Sequence, residues 1–250
     1  MSDPAIRLTQ VAKSFGPTKI IHGVDLSIAK GERHALIGPN GAGKTTLFNL
    51  ISGRFPITSG TIELNGQRID RLPPQQITRR GLSRSFQITS LFTRMTVFEN
   101  LRCALLWSQG YRYSFWHLLP WQNQLNDSAE QLLLDLNLGP RRNVPAGLLS
   151  YAEQRALEIG MTVAGGASVI LLDEPTAGMS HSETEYAVAL IRRLTEGRTL
   201  LVVEHDMRVV FDLADTISVL VYGAVIASGP PADIRASQAV QEAYLGKLVA

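Results

Sequence analysis

The run Gly38-Pro39-Asn40-Gly41-Ala42-Gly43-Lys44-Thr45-Thr46 constrains this 250-residue chain more than any other stretch. It fits the phosphate-loop pattern G-x-x-x-x-G-K-[ST]. An apolar segment, Arg33 to Ile37, leads into it as a strand. Leu47, Leu50 and Ile51 follow at helical spacing, with Gly53 as a helix stop. Glycines let successive backbone N–H groups face one concavity that takes an anionic phosphate, and the following helix adds the positive end of its dipole. Lys44 brings a charge to the outer phosphates, and the Thr45 hydroxyl is a hard oxygen suited to Mg2+. A nucleoside triphosphate is therefore the expected ligand. The loop alone serves many kinds of protein.

A second constellation follows. Val169-Ile170-Leu171-Leu172 is an apolar strand that ends in Asp173-Glu174. Acids at the end of a buried strand need a compensating cation or a role. Asp173 is placed to hold Mg2+ through its water shell, and Glu174 to orient and deprotonate an attacking water. A helix-start cap before Pro175-Thr176 is the structural alternative. A further apolar strand, Thr199 to Val203, runs into Glu204-His205-Asp206. Sites on parallel sheets form at the carboxyl ends of strands, so His205 could reach the γ-phosphate. His22, His34, His117 and His181 have no such placement.

The rest of the chain reads as an α/β protein. Ile6, Leu8 and Val11, then Val24, Leu26 and Ile28, alternate as strands. Thr61 to Leu64 alternates again and stops at the hairpin signal Asn65-Gly66. From about 96 to 165 the strand pattern fades. Leu132, Leu133, Leu136 and Leu138 mark one helix there and Leu148 to Ala164 another, so an inserted helical subdomain is expected. Beyond it, strands alternate with helices at Glu183 to Leu194 and Arg208 to Leu213, the mark of a mostly parallel sheet. Ile217 to Leu220 and Ala224 to Ala227 form a closing hairpin, and residues 229–250 a helical tail.

Composition adds exclusions. Cys103 is the only cysteine, which rules out disulfide scaffolds and cysteine-based metal sites within the chain. A net charge of +2 is too small to imply a nucleic-acid partner by itself, and none is expected. No apolar run nears the roughly 20 residues of a membrane span; the stretch from Ile217 to Ala227 is broken by Ser218 and Gly223. The start, Met1-Ser2-Asp3-Pro4, lacks the basic and apolar regions of a secretory signal.

In order along the chain, these residues resemble the nucleotide-binding subunit of an ABC transporter. The phosphate loop and Leu171-Leu172-Asp173-Glu174-Pro175-Thr176 are two elements. The third is Leu149-Ser150-Tyr151-Ala152-Glu153-Gln154-Arg155, which is similar to the L-S-G-G-Q signature and precedes the acids by about twenty residues. It also reads as a helix start, with Ser150 as N-cap and Glu153 closing a capping box. The resemblance implies a P-loop ATPase fold: a RecA-like parallel-sheet core, an N-terminal antiparallel β subdomain and the helical insertion, within one nucleotide-binding domain over 1–250. It implies ATP and Mg2+ as cofactors. Phe15 would stack on adenine, Gln87 would contact Mg2+ and signal to the membrane subunit, and Ala177-Gly178-Met179-Ser180 would be the D-loop. His205 would be the switch histidine. Lys44, Thr45, Gln87, Asp173, Glu174 and His205 would serve one nucleotide. Ser150, Tyr151, Ala152 and Glu153 would serve the nucleotide of a second ATP-binding subunit, a paralogue or a second copy.

The resemblance further implies two membrane-spanning permease subunits, indirectly a solute-binding protein, and a peripheral place on the cytoplasmic face of the inner membrane. Tyr151, the Ala177-Gly178-Met179 segment and the tail from Pro231 to Gly246 look like the branched-chain amino acid importers, a group that includes carriers of urea and amides. Ala152 departs from the glycine of the signature, and its methyl group would crowd backbone approach to phosphate. Tyr111, Tyr113, Phe115, Trp116 and Trp121 offer either core packing or a docking groove for a permease. Arg79, Arg80 and Arg84 read as a solvated or ion-paired basic cluster. The alternatives are an ATPase of lipid, lipopolysaccharide or export traffic and a soluble ABC ATPase outside transport.

Overall fold

The computed structural model describes residues 3–85, 91–106, 108 and 123–245. The chain divides into two compact units. The first comprises Met1–Arg84, Ser168–Glu174 and Glu196–Ala250, and the second Ser85–Ala167 and Pro175–Thr195.

The first unit carries two sheets. In the antiparallel sheet, β1 (Ile6–Phe15) lies between β2 (Thr18–Ile28) and β4 (Ser59–Leu64), with β5 (Gln67–Arg68) at one edge. Ile6 faces Ile28 on one side and Leu64 on the other, so the alternating apolar residues share one face. Asn65 and Gly66 both take positive φ in the turn between β4 and β5, as the hairpin signal anticipates.

The second sheet has six strands. Between β3 (Arg33–Ile37) and β4 runs α1 (Lys44–Ile51). The helix α2 (Pro74–Arg79) precedes β6 (Leu82–Arg84). Then come β7 (Val169–Asp173), β8 (Thr199–Val203), β9 (Thr216–Val221) and β10 (Ala224–Gly229), in the spatial order β10-β9-β3-β8-β7-β6. All neighbours are parallel except the terminal hairpin of β9 and β10. β7 and β8 are buried along their whole length, as continuous apolar runs in a parallel sheet must be. Phe48, Leu47 and Ile51 of α1 join residues of both sheets in one core cluster. Register matters most for function. Leu36 pairs with Val203, and Asp173 pairs with Val203 from the other side. The carboxyl ends of β3, β8 and β7 therefore stop at one level.

The second unit is helical among the described residues. It contains α3 (Val97–Leu105), α4 (Asn123–Asp135), α5 (Tyr151–Ala164) and α6 (His181–Leu194). Leu101, Leu125, Leu133, Leu157 and Leu190 lie in its own core. Its helix starts are written in the sequence. Thr96 with Glu99 and Ser150 with Glu153 form complete capping boxes. At Ser180, the Glu183 carboxylate accepts from both the backbone N–H (2.8 Å) and the hydroxyl (2.7 Å). The first unit also holds α7 (Met207–Leu213) before β9, and α8 (Pro231–Ala236) and α9 (Gln238–Leu245) after β10. Among the described residues, no helix is long and apolar enough to cross a membrane.

Candidate functional site

The phosphate loop leaves β3 at its carboxyl end and turns into α1. Gly43, the residue before the helix, has φ +104°. A Cβ there would lie 2.8 Å from Ile21 Cδ1, and one on Gly38 only 2.0 Å from the Leu220 carbonyl oxygen. Glycine is thus required by close packing as well as by the turn. Lys44 is buried, and its Nζ donates to the carbonyls of Gly38 (2.6 Å) and Pro39 (3.1 Å). Burial pushes its ammonium below the usual lysine value, and Glu174 and Asp173 pull it back up. The loop opens on a cavity of about 420 Å³ lined by Phe15, Ile20, residues 40–46, Glu174 and His205.

The two acids diverge, as neighbours at a strand end do. Asp173 points inward, where its side chain is 0% exposed, and meets the Arg84 guanidinium at 3.0 Å. Burial raises the Asp173 carboxyl above its ordinary value, while Arg84 opposes the shift. Arg84 also donates to Asn49 Oδ1 (2.7 Å) and Ser52 Oγ (2.9 Å) at the end of α1. Of the expected basic cluster, Arg84 therefore belongs to a buried ion pair, the compensating cation for an acid on an interior strand. Glu174 turns the other way. Its φ is +51°, its N–H donates to Val203 O (2.9 Å), and no helix begins there. The capping alternative for these acids is set aside by that backbone. Glu174 Oε1 and His205 Nε2 lie 2.6 Å apart, the spacing of a hydrogen bond that an ionised carboxylate accepts from the Nε2–H tautomer. Asp206 then caps α7 by accepting from Arg208 N (2.8 Å).

Phe15 stands half-exposed at the cavity. Phe55 meets its ring edge-on at 5.5 Å, and Lys13 Nζ lies 4.7 Å from its centroid while donating to Pro56 O. That support was not legible beforehand, since Lys13 and Phe55 lie in no recognisable motif. Gln87 and the aromatic residues Tyr111, Tyr113, Phe115, Trp116 and Trp121 lie outside the described residues.

Ser150, Tyr151, Ala152 and Glu153 belong to the second unit, whereas the residues lining the cavity all belong to the first. Ser150 Oγ accepts from Glu153 N (3.3 Å), and Glu153 Oε2 accepts from Ser150 N (2.8 Å). Arg141 holds the other Glu153 oxygen at 2.7 Å and keeps that carboxyl below its usual value.

The donor set fits a nucleotide carrying its own divalent cation. A phosphate-bound Mg2+ takes few ligands from protein, chiefly a hydroxyl and a carboxylate. Thr45 is exposed at the cavity, and among the described residues no three His, Cys, Asp or Glu side chains cluster as a self-sufficient metal cage. A glycine loop between parallel strand and helix, with acid and histidine at the adjacent strand ends, defines a P-loop nucleotide-binding protein.

Comparisons with known proteins narrow that class. Residues 21–177 match the ABC transporter family, and residues 224–249 match a C-terminal segment described as branched-chain amino acid ATP-binding cassette transporter. The chain is 37% identical to the high-affinity branched-chain amino acid transport ATP-binding protein LivG of Escherichia coli K12, over 99% of this chain and 100% of that one. It is 36% identical, with the same coverage, to BraF of Pseudomonas aeruginosa. Among solved structures, the ADP conformation of an ATP-binding cassette of an ABC transporter superposes with a TM-score of 0.84. That match has 26% identity and covers 98% of this chain and 100% of the other. The chain belongs to the ABC transporter ATP-binding proteins. It is accordingly an ATPase coupled to transport, working with permease partners in the membrane.

Proposed function

We propose that this chain energises import of branched-chain amino acids or related small polar solutes, from the cytoplasmic face of the membrane. The observation that carries the catalytic part is the 2.6 Å pair of Glu174 and His205 at a cavity lined by the phosphate loop. The match of residues 224–249 supports the choice of solute.

Backbone N–H groups of residues 40–46 and the N-terminus of α1 receive the phosphates. The Lys44 ammonium moves from the carbonyls of Gly38 and Pro39 to the outer phosphate oxygens. Phe15, braced by Phe55, offers its ring to the adenine. Glu174 orients the attacking water and accepts its proton on a carboxylate oxygen. His205 Nε2–H holds that carboxylate in position, within reach of the γ-phosphate. Mg2+ would be held by Thr45 and Gln87, with Asp173 able to join only if its carboxylate turns from Arg84, and would supply charge neutralisation on the phosphates.

One chain carries half of each site in this reading. Ser150 Oγ accepts from Glu153 N, which leaves its O–H to donate to a partner's γ-phosphate beside the N-terminus of α5. Arg141 offsets the Glu153 carboxylate there. The second ATP-binding subunit is a paralogue or a second copy of this chain. ATP joins the two, hydrolysis releases them, and two permease subunits change state with that cycle, fed by a solute-binding protein.

The test is uptake by vesicles containing the complete transporter with Mg-ATP inside. Labelled leucine should accumulate and unlabelled isoleucine should compete. Accumulation of labelled urea or a short amide, with leucine not taken up, would move the solute within the group. Uptake independent of internal ATP would end the reading.

A further inference from the structure

Tyr151 is the first residue of α5, directly after Ser150, at a position where the general signature has glycine. Its hydroxyl donates to the Ala177 carbonyl oxygen at 2.8 Å. Its hydroxyl oxygen lies 3.6 Å, and its nearest ring carbons 3.7 and 3.8 Å, from where a Cβ on Gly178 would sit. Arg155, one turn further along α5, donates Nε to the same hydroxyl at 3.1 Å and stacks 5.4 Å from the ring centroid. Glu158 holds Arg155 in turn, at 2.9 Å. All of these residues belong to the second unit. The loop they grip, residues 177–180, ends in Ser180, the N-cap of α6. Two helix starts, each with an acidic partner in its first turn, are thus tied through one side chain.

We propose that Tyr151 is a positioning residue: its hydroxyl holds the signature Ser150-Tyr151-Ala152-Glu153 and the loop 177–180 as a single element, so that a phosphate met by one is felt by the other. The inference rests on the reading that this face serves the nucleotide of a second subunit. An isolated signature helix would present Ser150 alone. The clasp makes the 177–180 backbone follow it, and Arg155 keeps the phenol from turning to water. A neutral hydrogen bond of this kind is worth about three- to tenfold in an equilibrium.

Tyr151→Phe keeps the ring and removes only the hydroxyl, in the full chain. Amide hydrogen exchange on the isolated protein is the first readout. Exchange should rise about three- to tenfold in residues 150–153 and 177–180 together, with the phosphate loop unchanged. Unchanged exchange in either segment overturns the clasp. The second readout uses the same substitution in a Glu174→Gln background. ATP-driven association should need about three- to tenfold more protein. Altered exchange with unaltered association overturns the positioning role. A parent protein that fails to associate with itself refutes self-pairing, and the exchange result still decides the clasp.

Discussion

Replacing Arg84 by methionine should cost this protein about 3–5 kcal/mol of stability at neutral pH. The figure follows from what the guanidinium touches. Its side chain is 6% exposed and that of its partner Asp173 is 0% exposed. Methionine fills much of the volume, beside the Phe48 ring that the guanidinium now covers at 5.5 Å. It leaves the Asp173 carboxylate in the interior without its cation, close to Glu174, and it removes the bonds to Asn49 and Ser52. The sign of the pH dependence follows. Burial already raises Asp173 above its unfolded value, and losing Arg84 raises it further. The folded variant then binds a proton that the unfolded chain releases. Its deficit shrinks as pH falls through the raised value and is full above it. Asp173→Asn in the same chain removes the buried charge, so the double variant should recover most of the loss. Urea unfolding followed by circular dichroism at pH 5.5 and 7.5 measures all three terms. A single variant within about 1 kcal/mol of the parent at pH 7.5, or a double variant no better than the single, would refute the reasoning.

Other expectations are as direct. Gly223 has φ +74°, donates its N–H to Ala42 O and accepts from His22 N, and a Cβ there would lie 1.9 Å from Ile20 O. Gly223→Ala should therefore destabilise by about 2 kcal/mol or more and weaken ATP binding through the displaced phosphate loop, as denaturation and nucleotide titration would report. Glu153 is held below its usual value by Arg141, and Glu99 and Glu183 by the groups they cap. Their stabilisation is present above the unfolded carboxylate range and lost as pH falls through the depressed values. Hydrogen exchange in α3, α5 and α6 should accordingly accelerate below about pH 4. Ala152→Gly should raise ATP turnover by relieving the methyl group at the signature, and a turnover no higher than the parent's would count against that crowding.

The fold was legible where pattern and chemistry coincide. Apolar runs of the right length gave β7 and β8, the Ser150–Glu153 pair marked the start of α5, and the helix expected from Glu183 begins two residues earlier, at His181. That the phosphate loop, Glu174 and His205 gather could be read because strand ends on a parallel sheet meet in space, whereas the inward turn of Asp173 onto Arg84 could not. What could not be read depends on partners far along the chain. β6 is three residues with little periodicity, and it exists only by pairing with β7. Arg84 looks like its exposed neighbours until that strand carries it to Asp173. His34 sits in an unremarkable apolar strand. It is fully buried, and its ring bridges Glu32 at 2.8 Å and Ser218 at 2.8 Å, a contact spanning 184 positions.

The measurement closest to the central claim is the association state of Glu174→Gln protein with and without Mg-ATP, by sizing with light scattering. The substitution leaves the phosphate loop intact and removes the group assigned to water activation. The account predicts tight ATP binding, negligible hydrolysis and a dimer that forms only with Mg-ATP, with itself or with a paralogous subunit added. Hydrolysis at the parent's rate, or bound ATP that drives no association with either partner, would contradict it.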